Sequence, residues 1–271
     1  MVHNYDYGSN HLEGSKDAAF QKLICNLLLN VHPICINKCS NPLSISNIFK
    51  YYLNYQTIWL EYERNICQSD NVGKINYLLY YASRYGNIIV VKWCLENGST
   101  GFLADRIDAL LVAAFYGNIK VVKFLINKCN NTYNQINNAL SGAAVIGCLE
   151  IVKLLIAAGA DVRSFNNNAL LCASYTKHLE VVKLLIDEGA DIHAQNDSAL
   201  RNASETGNLE LVKLLINKGA NIHADNNVAV RMAAKNLKLE VVKFLIDRGA
   251  DIHAQNDCTL KYAIRHHNRD V

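Results

Sequence analysis

From residue 77 onward the apolar positions fall into two alternating blocks. In the stretch ALRNASETG (199–207), Ala199, Leu200 and Ala203 lie on one face of a short predicted helix. In LELVKLLI (209–216), columns of Leu, Val, Leu and Ile give a second predicted helix a wider apolar face. Gly86, Gly117, Gly147 and Gly207 close helices of the first kind, and Gly219 closes one of the second, in the left-handed conformation where glycine costs least. Ile222 is then expected to tuck back before a polar turn leads into the next unit. Asp108, Asn138, Asn168 and Ser198 precede successive first helices and are predicted to be their N-caps.

These blocks recur. Gly159, Gly189, Gly219 and Gly249 are thirty residues apart, and Ala82, Ala113, Ala143, Ala173, Ala203 and Ala233 form a parallel column. Six repeats are complete within residues 77–271, and a seventh begins at Cys258. The step from Gly98 to Cys129 is one residue longer, with Gly101 in the inserted turn. A helix pair this short cannot bury its own apolar face, but stacked copies can, which predicts an all-α solenoid held by nearest-neighbour interfaces. The alanine column would let neighbouring helices approach closely.

The unit NALLCASYTKHLEVVKLLIDEGADIHAQ resembles an ankyrin repeat, in its L-x-x-A start, its HLEVVKLL helix and its GAD turn. The 30-residue units with GADIHA resemble in particular the ankyrin arrays of giant double-stranded DNA viruses of the mimivirus type. The resemblance covers residues 77–271. It implies helix-turn-helix units, protein binding rather than catalysis, and a host protein as partner. The units depart from the usual ~33 residues and TPLH opening. SALR stands at 198–201, NALL at 168–171 and DALL at 108–111, so each protruding finger should be blunt. Cys129, Lys177 and Leu237 replace glycines, which predicts poorer capping there, with Asn130 as a left-handed substitute.

Residues 1–76 carry both prolines and no clear copy of the repeat. Helices are expected over 15–30, behind Ser15, and within 44–66. Two readings stay open for this region: a helical cap of worn repeats, or a docking motif that makes the protein a substrate-recruiting adaptor of a ubiquitin ligase. A net charge of +3 falls short of a dedicated nucleic-acid binder. No apolar run reaches the ~20 residues of a membrane span. The polar N-terminus resembles no targeting peptide, so an intracellular, cytoplasmic monomer is expected. The nine cysteines are odd in number and lie in unrelated repeat columns, which favours reduced thiols.

The candidate chemistry is thin. GADIHAQND occurs at 189–197 and 249–257, with GANIHADNN at 219–227 between them. His193, His223 and His253 thus form a ladder, but equivalent atoms one helix-packing distance (~8–10 Å) apart cannot share an ion. No catalytic, metal or cofactor residues are assigned. Glu150, Glu180, Glu210 and Glu240 precede a lysine column by three residues and read as a solvated helix face. What varies is the pair before each inner turn, which in ankyrin-like arrays faces the partner-binding groove. Tyr85, Phe115, Tyr116, Val145, Ile146 and Tyr175 would form an apolar stripe there, and they are the expected partner-binding residues.

Overall fold

The computed structural model describes residues 71–96, 102–103, 107–128 and 131–267. Nearly all of them belong to the second of the chain's two units, Leu78–Val271. The helices expected at 15–30 and 44–66, and with them the cap or docking role, lie outside the described residues. The first described helix, α1 (Asn71–Tyr85), crosses the boundary drawn at 76/77.

Helices then alternate in inner–outer pairs. After α1 come the outer helix α2 (Ile88–Glu96), the inner α3 (Ala109–Phe115) and the outer α4 (Ile119–Lys128). The next two pairs are α5 (Tyr133–Ile146) with α6 (Leu149–Ala157), and α7 (Ser164–Tyr175) with α8 (Leu179–Asp187). Then follow α9 (Ala194–Thr206) with α10 (Leu209–Asn217), α11 (Ala224–Lys235) with α12 (Leu239–Asp247), and a last inner helix, α13 (Ala254–His267). From α3 to α13 each inner helix packs on the next inner one, and outer helices touch one another less closely. The core is the predicted one: Ala113, Ala143, Ala173, Ala203 and Ala233 are fully buried, as are Val152, Val182, Val212, Leu155, Leu185 and Leu215. Burying each such leucine is worth roughly 1.5–3 kcal/mol. The small alanine side chains lie fully buried along the seam between neighbouring inner helices.

That alanine column has a second task. The amide of the residue five positions on reaches back to its carbonyl in each repeat, from Asn87 to Ala82 (2.8 Å) through to Lys238 to Ala233 (2.8 Å). The chain must enter the left-handed region to make this bond, and Gly86, Gly117, Gly147 and Gly207 do so at φ 73–78°. Lys177 and Leu237 follow them at φ 69° and 58°. Their cap bonds, His178 to Ala173 (3.0 Å) and Lys238 to Ala233, match those of the glycine repeats. The poorer capping expected there is therefore corrected: the bonds form, and the cost falls on the backbone instead. Asn130 and Cys129 lie outside the described residues. Leu237 is 54% exposed, so its side chain returns little for that strain. Leu237→Gly should raise stability by about 1 kcal/mol in a urea titration followed by circular dichroism.

The fingers differ between the longer and the shorter repeats. In the longer one, Phe102–Leu103 (β1) and Ile107–Asp108 (β2) pair antiparallel, with Phe102 opposite Asp108, a small addition to the expected helices. Asp108 is extended (φ −110°, ψ 142°), and its Oδ1 accepts from the Leu110 and Leu111 amides at 2.6 and 3.1 Å, as an N-cap should. Burial pushes its carboxyl above the usual carboxylate range, opposed by the Leu111 and Leu110 amides and by Gln135.

The later fingers take another course, although the equally long one before α5 keeps an extended cap at Thr132 (φ −72°, ψ 158°). Phe165–Asn167, Gln195–Asp197, Asp225–Asn227 and Gln255–Asp257 each run three residues through the left-handed region. The other predicted N-caps are accordingly corrected. Asn138 lies inside α5, whose cap is Thr132, in a reciprocal box with Gln135 (2.7 and 3.4 Å). Asn168 and Ser198 follow the left-handed turns, and the Ser198 hydroxyl donates to the Gln195 carbonyl at 2.7 Å.

Candidate functional site

The histidine ladder is built from these same turns. His193, His223 and His253 each donate a backbone N–H to the side-chain oxygen of Asp191, Asn221 or Asp251, at 2.8–2.9 Å. Each Nδ1 meets the oxygen four residues on: Asp197 at 3.0 Å, Asn227 at 3.0 Å and Asp257 at 2.7 Å. Since those oxygens only accept, the ring N–H donates, and every ring is tied into its own turn. Among the described residues no group of three or more His, Cys, Asp or Glu side chains is placed to hold a metal ion.

The partner oxygens belong to a column that the sequence reading passed over. Asn137, Asn167, Asp197 and Asn227 are buried, and each Oδ1 accepts the backbone N–H of residue i+24 in the next finger. The acceptors meet Asp161, Asp191, Asn221 and Asp251 at 2.8, 2.7, 2.8 and 3.0 Å. A buried side chain that accepts a part-buried amide across a repeat boundary fixes the distance between fingers. Its signal was present as a 30-residue Asn/Asp column, one place before the supposed caps. Arg163 and Arg231 add further ties. Arg163 Nε donates to the Gly189 carbonyl at 2.7 Å, and Arg231 donates to the Asn226 and Asp225 carbonyls and to Gln255 Oε1.

The other described cysteines and charge pairs are equally structural. Cys94, Cys148, Cys172 and Cys258 are free, and burial pushes the Cys94 and Cys172 thiols up, away from the reactive thiolate. Glu180, Glu210 and Glu240 pair with Lys183, Lys213 and Lys243 on the exposed outer helices, each worth a few tenths of a kcal/mol. Glu150 instead reaches back one repeat to Lys123 at 2.8 Å.

The variable pairs lie at the C-terminal ends of the inner helices. Tyr85 and Val145 are half-buried. Phe115, Tyr116, Ile146 and Tyr175 are 38, 43, 43 and 55% exposed, one turn from alanines that are fully buried. Tyr85 and Tyr116 are joined through Arg84, whose guanidinium carbon lies 5.5 Å from one ring centre and 5.0 Å from the other. Phe115 stands edge-on to Tyr116 with ring centres 5.4 Å apart. α3 and α5 close up beside Phe115 because Gly142 has no side chain: a Cβ there would lie 2.9 Å from Leu111 Cδ1 and 3.5 Å from Phe115 Cβ. The first three residues of the stripe thus form one cluster, and Val145, Ile146 and Tyr175 continue it at the same register on α5 and α7. Arg84, left outside the stripe by the sequence reading, is the link that unites the cluster.

Adjacent repeats are locked together just behind this surface. Asn118 Nδ2 donates to the Ser83 and Arg84 carbonyls at 2.7 and 2.8 Å, and His178 Nε2 lies 3.0 Å from the Val145 carbonyl. These bonds satisfy the orphan carbonyls at the inner-helix ends and so fix the rows that present the stripe. Among the described residues no helix is long and apolar enough to cross a membrane.

A family model described as ankyrin repeats matches the chain in three copies, over residues 110–196, 170–256 and 200–271. Together these span 110–271, more than half of the chain. No curated protein matches it.

Proposed function

Since the chain belongs to the ankyrin-repeat family, whose arrays are generally protein-binding modules and typically non-enzymatic, we propose that it is a scaffold holding a partner protein on the inner-helix face of repeats one to four. The observation that carries this reading is the run of exposed Phe115, Tyr116, Ile146 and Tyr175 at one register on three consecutive inner helices. Such a patch exposes apolar area that packing alone would have hidden, and aromatic and arginine side chains are the usual binding hot spots. The blunt left-handed fingers, closed on their own hydrogen bonds, turn recognition away from the finger tips. The likeness of the 30-residue units to giant-virus arrays directs the same proposal toward a host protein.

The double variant Tyr85→Ala, Tyr116→Ala tests it. Partner affinity should fall by about thirtyfold or more, the effect of losing ~2 kcal/mol or more at a hot spot. The helical circular dichroism signal and its melting transition should persist. Unchanged capture by a folded double variant would place the site elsewhere.

A further inference from the structure

Apart from Arg84, which lies between the Tyr85 and Tyr116 rings, charge on the inner-helix face from α3 onward is segregated from the aromatic stripe and is nearly all of one sign. The whole of α3 and the C-terminal halves of α5 and α7 (109–115, 139–146 and 169–175) carry no charged residue. Beyond them the same positions carry Arg201 and Glu205 on α9, Arg231 and Lys235 on α11, and Lys261 on α13. Arg231 is buried and committed to its finger, whereas Lys235 and Lys261 are exposed and Arg201 half-exposed. Glu205 is the single acid among these helix halves. The glutamates of the array stand instead on the outer helices, so a net charge of only +3 conceals a basic patch beside an apolar one.

Resting on the protein-binding reading above, we infer that this face takes an acidic, polarised segment of the partner. Its aliphatic or aromatic anchors lie against Phe115, Tyr116, Ile146 and Tyr175, and its carboxylates follow against Arg201 and Lys235. Inner helices ~8–10 Å apart set Tyr116 and Lys235 roughly 35 Å apart. An extended peptide of about 10–12 residues covers that distance at ~3.3 Å per residue. A single-stranded nucleic acid fits the face less well. It has a phosphate beside every base and calls for aromatic and cationic groups interleaved along the groove. Here Arg84 alone stands among the aromatic rings, and the other cations of α9, α11 and α13 lie beyond Tyr175.

The test is a random 12-residue peptide display library selected on the full chain, followed by fluorescence anisotropy with the synthetic consensus peptide. Selected peptides should combine apolar residues with a cluster of Asp and Glu. The consensus should weaken at least tenfold on Arg201→Glu, Lys235→Glu, and also when its own acids are changed to amides, an arm that does not depend on a variant folding. Neutral or basic selected sequences, or an amide peptide that binds equally well, would overturn the inference while leaving the protein-binding surface standing. An acidic peptide indifferent to Tyr116→Ala would overturn that surface instead. A 12-nucleotide single strand binding more tightly than the peptide would overturn both in favour of nucleic acid.

Discussion

Replacing Gly147 by alanine should destabilise the array by about 3 kcal/mol, whereas the same change at Gly117 should cost about 1 kcal/mol or less. Both glycines close an inner helix in the left-handed region, at φ 75° and 73°. An alanine there is strained by ~1–2 kcal/mol, partly offset because it stiffens the unfolded chain by ~0.4–1 kcal/mol. The two sites differ in what the new methyl group meets. At Gly117 nothing lies within 4 Å. At Gly147 the Cβ would stand 2.2 Å from Nδ1 and 2.4 Å from Cγ of His178. The ring must leave, and its 3.0 Å contact with the Val145 carbonyl goes with it, removing about 1 kcal/mol and some packing between repeats. Urea titration of the two variants side by side checks the difference. Equal midpoints would show that the ring yields without cost.

The second large effect belongs to the column that joins the fingers. Asp197→Ala should cost about 3 kcal/mol, and Asp197→Asn less than about 1. Asp197 is 5% exposed, sits at φ 57°, and accepts from the Asn221 amide at 2.8 Å and His193 Nδ1 at 3.0 Å with one oxygen. Alanine removes that acceptor and strands a backbone N–H at the repeat boundary, a loss of ~1–3 kcal/mol. It also forfeits the local tolerance of the left-handed region that Asp and Asn share. Asparagine keeps both the oxygen and the tolerance, and stands at the equivalent positions 137, 167 and 227. Hydrogen exchange at the Asn221 amide gives a local readout: protection should fall in the alanine variant and persist in the asparagine one.

Much of this architecture was legible in the sequence because repetition multiplies weak signals. A single Leu-x-x-Ala is ambiguous, but Ala82 through Ala233 at a fixed spacing specify a buried seam, and the structure buries them all. The glycine columns likewise announced left-handed caps. What escaped was conformation that residue type alone does not encode. Asn168 and Ser198 look like N-caps, yet three left-handed residues run up to each of them, and the preceding Asn or Asp becomes the one that binds. Lys177 and Leu237 looked like defects, but the cap bond to the buried alanine outweighs their backbone strain. The aromatic stripe was legible as variability against a constant background. Arg84's place between two rings depends on side-chain packing across α1 and α3, which no spacing reveals.

The inner-helix stripe and the finger turns are two separate surfaces on which a partner could be held. Photo-crosslinking distinguishes them most directly. A benzoylphenylalanine is placed at Tyr175, on the inner face, or at His223, in a finger turn, and the chain is irradiated with its bound partner. Crosslinks from position 175 and none from 223 are the predicted result. Crosslinks from 223 with none from 175 would contradict the account.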